Sequence, residues 1–441
     1  TGEIMNIAFF TLGCKVNQYE TSSIIEKAIE RGHKIVDFNE KADAYIINTC
    51  TVTAVSDKKS RQIIHRAEKL NPDAIIAVMG CYSQTNYKEL EKDSKIDIIL
   101  GTSERMSVLD YIEKAFNEKN TLKEKIICVK DIFKVDTFEN MDTKTFYDKT
   151  RAVIKIQDGC NNFCSYCIIP FARGKVRSKK LSDIKSEAEM IGEQGYKEIV
   201  LTGIHLDSYG KDFDNISLLD AVEICQNTDK IKRIRLGSLE PVVITEKFLE
   251  QLKTYDKVCP HFHLSLQSGC DETLKRMNRN YTCEDYRNAV KLIRKFYDMP
   301  GITTDVMTGF AGEDEDEFKK SLDFVKEIGF LQVHIFPYSR RKGTKAYNMP
   351  NQNTKKIKEE RVHKMIEAAS LTRQAFFDNC IGKEVRVLFE RKTAGYWEGF
   401  SENYMPVKIK SEENLENVIL KVILKENKKE FLLGEKNEKG I

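Results

Sequence analysis

The chain has 441 residues, about three times the length of an ordinary domain, so two to three domains are expected. Its 71 Lys and Arg nearly cancel 68 Asp and Glu, leaving a formal +3; this excludes a polycation that grips nucleic acid by bulk charge, and any basic surface must be local. A hydrophobic share of 41% fits filled cores, yet no apolar run approaches the roughly eighteen residues of a membrane helix. With no signal-peptide layout, a reducing cytoplasm is expected, where the 12 cysteines serve as ligands or nucleophiles rather than disulfides. The phosphate signatures GxxxxGK[ST] and GxGxxG after a strand are missing, which argues against P-loop hydrolysis and nicotinamide chemistry.

The first stretch alternates strands and helices. Strands are expected at Met5–Leu12, Ala44–Ile47, Ala74–Met79 and Ile96–Leu100, with helices at Thr21–Arg31 and Ser56–Leu70. That rhythm means an open parallel α/β sheet. From about Asn117 to Asp148 the pattern turns polar, with one short apolar piece at Ile126–Val129 read as an edge strand, and a boundary is placed near residue 145.

The middle stretch repeats the unit six times. Strands are expected at Ala152–Gln157, Glu198–Thr202, Arg233–Gly237, His261–Ser265, Gly301–Met307 and Gln332–Phe336. The helices between and after them are Ser182–Glu193, Leu218–Gln226, Thr245–Leu252, Glu284–Phe296, Glu315–Ile328 and Lys355–Phe377. Six such units fit an incomplete (β/α)6 barrel with its site at the strand C-termini; a doubly wound sheet gives the same string. The last sixty or so residues read as short strands at Glu384–Glu390, Tyr404–Lys410, Val418–Leu424 and Glu430–Leu433, a small all-β barrel that either binds oligonucleotides or caps the fold. The domains expected are therefore 5–145, 146–378 and 381–441.

Chemistry concentrates in the cysteines. Cys160, Cys164 and Cys167 stand at CxxxCxxC spacing in a loop directly after the first middle strand. Three thiolates this close can bind three irons of a [4Fe–4S] cube and leave the fourth open. A closed zinc site needs a fourth Cys or His nearby, and none precedes His205. Cys14, Cys50 and Cys81 are dispersed, but each follows the C-terminal end of an expected parallel strand, where such sheets gather ligands in one crevice. Gly13 and Gly80 beside them allow close backbone approach, so a second three-cysteine cluster site is expected there. Cys128, Cys225, Cys259, Cys270, Cys283 and Cys380 share no spacing and read as packing or surface residues.

Those segments carry a resemblance. DGCNNFCSYCIIPFARG resembles the radical S-adenosylmethionine (SAM) superfamily. LGCKVNQYET, INTCTVT, LTGIH, HFHLSLQSG and HIFPYSRRKGT extend the likeness over essentially the whole chain to the methylthiotransferases, and within them to the branch that modifies N6-threonylcarbamoyladenosine (t6A) in tRNA. Ala311, where the family has proline in GFPGE, and Cys270, where QSGS has serine, depart from the pattern and bear on local loop shape.

The resemblance implies a three-part layout: an N-terminal domain with an auxiliary cluster, a radical SAM barrel, and a TRAM-like RNA-binding β-barrel. It implies conversion of t6A to its 2-methylthio form. The cofactors are SAM and two [4Fe–4S] clusters, a catalytic one on Cys160, Cys164 and Cys167 and a sulfur-donating one on Cys14, Cys50 and Cys81. By resemblance and position, SAM is held by Tyr166, Thr202, Gly203, Glu240, Gln267, Ser268, Asp305 and Phe336, with Arg279 facing its carboxylate. The implied partners are a tRNA anticodon stem-loop and a flavodoxin- or ferredoxin-like electron donor. Two basic runs, one with Arg173, Lys175 and Arg177 and one with Arg340 and Arg341, are expected to grip phosphates at one rim, with Arg340 or Arg341 selecting the t6A carboxylate. Isopentenyladenosine tRNA, a ribosomal-protein aspartate, or a non-enzymatic role as an RNA-binding iron–sulfur sensor are the alternatives.

Overall fold

The computed structural model describes residues 3–118, 124–143 and 150–437, so the boundary placed near residue 145 lies outside the described residues. Six strands, β1 (Asn6–Thr11), β2 (Lys34–Val36), β3 (Ala44–Thr49), β4 (Ile75–Gly80), β5 (Ile98–Leu100) and β6 (Ile126–Cys128), form one parallel sheet in the order β2-β1-β3-β4-β5-β6. Strands β3 and β4 are buried at every residue, as parallel strands covered on both faces must be, which is why they read as continuous apolar runs. Between β1 and β2 lies helix α1 (Lys15–Glu30), which begins six residues earlier than expected. Its first turns bury Asn17 and Glu20 beside Val16 and Tyr19, so the polar residues that face the next domain hide the apolar period. Helix α2 (Ala54–Leu70) starts where Thr53 caps it by accepting the Ser56 amide, and α3 (Cys81–Leu90), which the sequence did not announce, follows β4 without a loop.

The middle region has six parallel strands: Arg151–Lys155, Glu198–Thr202, Arg233–Leu236, His261–Leu264, Gly301–Thr308 and Gln332–Pro337. They lie in sequence order, first to sixth, whereas a doubly wound sheet reverses direction at a switch point. The arc is therefore the incomplete barrel. It changes sheets at Gly237: the third strand pairs with the second up to Leu236, then Ser238–Leu239 pairs with His263 and Leu264 of the fourth. The side between the first and sixth strands stays open, and α1 packs across it against the first strand.

At the end of the chain, Glu384–Thr393, Tyr396–Ser401, Pro406–Ile409, Leu432–Lys436 and Ile419–Asn427 close a five-stranded barrel in that order. The strand Tyr396–Ser401 was not expected. It folds back through Ala394 and Gly395, both at positive φ, the backbone of a tight two-residue hairpin. This barrel seats beneath the N-terminal ends of the middle strands: Arg233 donates to the Phe400 and Ser401 carbonyls, Arg235 to that of Glu402, and Tyr404 stacks between His261 and Phe400.

Candidate functional site

Because β1, β3 and β4 are parallel neighbours, the residues that follow them meet at the C-terminal end of the sheet. Cys14 stands at the start of α1, Cys50 after β3, and Cys81 as the first residue of α3. Cys14 is exposed and the other two are buried. Glycine is required on both sides of this cradle. A Cβ on Gly13 would stand 3.0 Å from the Cys50 Cβ, and one on Gly80 would lie 2.5 Å from Asn48 Oδ1, each at a positive φ. Asn17 ties the cysteine-bearing turns together by donating to the Leu12 and Thr49 carbonyls at 2.8 and 3.1 Å.

The second set occupies the loop after the first barrel strand. Gly159 holds φ +75°, and a Cβ there would fall 1.7 Å from the Lys175 carbonyl oxygen. That closeness lets the Cys160 amide reach the Gly174 carbonyl at 3.0 Å and folds the loop back on itself. Ser165 pins the far end through its amide to Met277 and its hydroxyl to Arg276. Cys160, Cys164 and Cys167 all stand half-buried, and burial raises the Cys160 thiol to about 11 and Cys167 to about 12. Burial likewise raises Cys81 to about 12, against the pull of Arg173. Each set offers three soft donors and glycine-cleared space, which fits one [4Fe–4S] cube apiece with an iron left open.

A buried ionic network joins the two sets. Arg173 donates Nε to Cys81 Sγ at 3.2 Å and Nη1 to Glu20 at 2.5 Å and to Asp158 at 3.3 Å; its Nη2 reaches Asn17 at 2.6 Å. Asp158, two residues before Cys160, also takes Lys155 at 2.5 Å, and Glu20 takes Arg105 at 2.6 Å. Burial alone would raise both carboxyls, but these cations hold Glu20 and Asp158 ionised below their usual range. This corrects the expectation for Arg173 and Arg177 as phosphate contacts. Both side chains are buried, Arg177 giving its guanidinium to the Val135 and Arg173 carbonyls. Arg341 is corrected too, since it is buried and paired with Asp57 at 2.7 Å and with Thr51. A run of charges in sequence does not say which of its members face water. Lys175 and Arg340 are exposed.

The residues expected at SAM divide into a cluster and a periphery. Arg279 lies 3.2 Å from Cys164 Sγ and 2.6 Å from Glu240, whose carboxylate also receives Asn162 at 3.1 Å and meets His205 at 3.2 Å. Tyr166 stands within the same loop, edge-on to Phe310. Thr202 and Gly203 close the second strand, Gly203 so tightly that a Cβ would strike Gln157. Gln267 adopts φ +65° and exchanges backbone hydrogen bonds with Asp305 and Met307. Asp305 faces His263 at 3.4 Å and Phe336 is half exposed, whereas Ser268 is buried with an unpartnered hydroxyl, away from open space. Asn17, Glu20, Lys155, Asp158, Asn162 and His205 were missed. Their signal lay in the segments around the cysteines, but a polar residue in a helix or strand shows its partner only after folding.

Cys270 and Ala311, the two departures, are both buried; Cys270 begins the short helix Asp271–Arg276 and donates to Glu272 at 3.0 Å. Of the cysteines read as packing or surface residues, all are buried except the half-buried Cys128.

A six-stranded open barrel whose first loop presents three cysteines beside an Arg–Glu pair defines the radical SAM class of enzyme. Residues 154–325 match the Radical SAM superfamily, and residues 6–101 match an uncharacterized family, UPF0004. The chain is 40% identical over 422 residues to the threonylcarbamoyladenosine tRNA methylthiotransferase MtaB of Bacillus subtilis, covering 94% of this chain and 93% of that one. A tRNA-2-methylthio-N(6)-dimethylallyladenosine synthase of Acetivibrio thermocellus is 32% identical, over 88% of this chain and 82% of its own. Among solved structures, a radical SAM methyltransferase from Kitasatospora setae, with cobalamin and a [4Fe–4S] cluster bound, superposes with a TM-score of 0.57 at 15% identity, over 90% of this chain and 81% of that one. The chain belongs to the radical SAM methylthiotransferase family, and its cofactors are SAM and [4Fe–4S] clusters.

Proposed function

We propose that this enzyme is a tRNA t6A C2-methylthiotransferase of the cytoplasm that uses two clusters, one on Cys160, Cys164 and Cys167 and one on Cys14, Cys50 and Cys81. The observation that carries the two-cluster reading is Arg173, which hydrogen-bonds a ligand of one set while its carboxylate partner Asp158 leads into the other. The t6A target is supported by the 40% identity to an enzyme of that name, against 32% for one named for dimethylallyladenosine. An aromatic C–H at adenine C2 is not ionised by any general base near neutral pH, so the reaction needs a radical. When bound, the clusters supply the electron for reductive cleavage of SAM and the sulfur to be transferred.

The chain's own residues bind and orient. Arg279 offers the SAM carboxylate a cation, Glu240 an acceptor for the amino group, and Tyr166 a ring for the adenine. Thr202, Gly203, Gln267, Asp305 and Phe336 line the strand ends around them, while Ser268 is buried behind Gln267. For the RNA, Lys175 and Arg340 remain as phosphate contacts. Arg340 and Lys342 border a cleft of about 640 Å³ between α3 and the barrel rim, lined also by Asn86, Phe171 and Tyr347. No described helix is long and apolar enough to cross a membrane. Electrons come from a separate flavodoxin- or ferredoxin-like protein, and the division into 5–145, 146–378 and 381–441 assigns one role to each part.

Nucleoside mass spectrometry tests the reading. Reconstituted enzyme, SAM and reductant are incubated anaerobically with tRNA that carries t6A and lacks its methylthio form. Loss of t6A with gain of 2-methylthio-t6A is the expected result. Cleavage of SAM with no change in t6A would move the target to isopentenyladenosine tRNA or a ribosomal protein, and absence of SAM cleavage would leave only the sensor reading.

A further inference from the structure

The open side of the barrel admits one residue of the N-terminal domain that the reaction as described leaves unused. Lys15 directly follows the proposed cluster ligand Cys14, and its side chain lines a partly open cavity of about 280 Å³ with Gln18, Arg151, Val153, Val200, Glu390 and Tyr404. Val153 and Val200 belong to the first and second barrel strands, and Arg151, Glu390 and Tyr404 set the cavity toward the N-terminal ends of those strands, beside the C-terminal barrel. The neighbouring cations all have partners: Arg151 pairs with Glu390 at 2.8 Å, and Arg233 and Arg235 share the single carboxylate of Glu198 at 2.9 and 2.8 Å. Among the described residues, Lys15 has neither a hydrogen bond nor an ion pair.

The surroundings are net positive. Burial would push the Tyr404 phenol up, but Arg151 and Lys15 draw it below its ordinary range. Burial and Arg235 push His261 well down, with Lys15 contributing. An unpaired ammonium in such a cavity is stabilised by an anion, and a cavity this size suits a group of about ten heavy atoms rather than a whole nucleotide. The expected carboxylate receptors fit less well, Arg341 being spent on Asp57 and Arg340 held over the Tyr347 ring at the exposed rim.

We propose that Lys15 is a specificity residue that receives the carboxylate of the threonyl arm of t6A in this cavity. The inference rests on the t6A reading above. SAM also carries a carboxylate, so the test separates the two sources.

Binding of a t6A anticodon stem-loop, of the same RNA with plain adenosine, and of SAM is measured anaerobically on reconstituted wild-type enzyme and on Lys15→Met, with iron content as the check on loading. The substitution is expected to weaken binding of the t6A RNA about ten- to hundred-fold, the range for a hydrogen bond to a charged group, and to erase the preference over plain adenosine. Lys15→Arg should restore most of that preference. Should Lys15→Met load poorly, Lys15→Gln carries the same comparison. An undiminished preference for t6A RNA overturns the proposal, as does a loss confined to SAM binding, which would give the lysine to the SAM carboxylate. If wild-type enzyme converts t6A while the variant keeps its preference, only this inference fails; if wild type leaves t6A untouched, both fail.

Discussion

At the scale of single residues, the two cysteine sites depend on atoms that are absent as much as on those present. Gly159 combines a positive φ with a carbonyl oxygen 1.7 Å from where a Cβ would be, and that oxygen belongs to backbone that cannot swing aside. Gly159→Ala is therefore expected to displace the loop that carries Cys160, Cys164 and Cys167 while leaving the N-terminal cradle intact. Iron analysis after reconstitution should fall from about eight to about four irons per chain. Arg173 shows the converse, a residue that a sequence marks as surface charge and the fold makes internal. Its guanidinium fork meets two carboxylates, an amide oxygen and a thiol sulfur at once, a set that a lysine ammonium could not span.

At the scale of elements, strand order explains why dispersed cysteines converge and why the C-terminal barrel stays attached. Glu198 begins the second middle strand and pairs with Arg233 and Arg235 of the third, the same arginines that grip the Phe400, Ser401 and Glu402 carbonyls. Burial alone would raise this carboxyl, yet Arg235 and Arg233 bring it down to about 2 from 4.5. A folded-state pKa below the unfolded one stabilises the protein above about pH 4.5, and that stabilisation is lost as the pH falls toward 2. The gap corresponds to about 3 kcal/mol. Denaturant unfolding followed at pH 7 and at stepwise lower pH should show this loss in the wild type, with a flatter profile in Glu198→Gln.

The elements legible in sequence were those whose burial is simple. Strands β3 and β4 and the helices Leu218–Gln226 and Glu315–Ile328 matched closely, because one apolar stripe or run accounts for each. Helix α1 was placed late because its first turns bury Asn17 and Glu20, and Tyr396–Ser401 was missed because its inward face carries Gly399 and Ser401 beside Trp397 while Tyr396 and Phe400 face outward, so apolar and polar residues do not alternate.

At the scale of the whole molecule, a formal +3 spread over 441 residues leaves RNA binding to a few exposed cations. With Arg173, Arg177 and Arg341 buried, Lys175, Arg340, Lys342 and Lys345 are four exposed members of the two basic runs that flank the cleft. Four phosphate contacts predict a shallow salt dependence, with log affinity for the stem-loop falling about threefold as steeply as log salt rises. A titration of stem-loop binding against KCl measures that slope, and a much steeper one would place further cations, on the C-terminal barrel, in contact with RNA.

The sequence by itself determined the chemistry: CxxxCxxC after a strand, three cysteines each just past a strand end, and segments resembling one enzyme family. These features are local, and a few neighbouring residues are enough to express them. Only the tertiary structure decided which charges face solvent, that Arg173 links the two cysteine sets, and that Lys15 stands unpaired in a cavity beside the first barrel strands. The physical reason is that a charge is placed by its partners, and here the partners lie far apart in the chain: Glu20 and Arg173 are separated by 153 residues, Thr51 and Arg341 by 290. No periodicity along the chain records such a pairing.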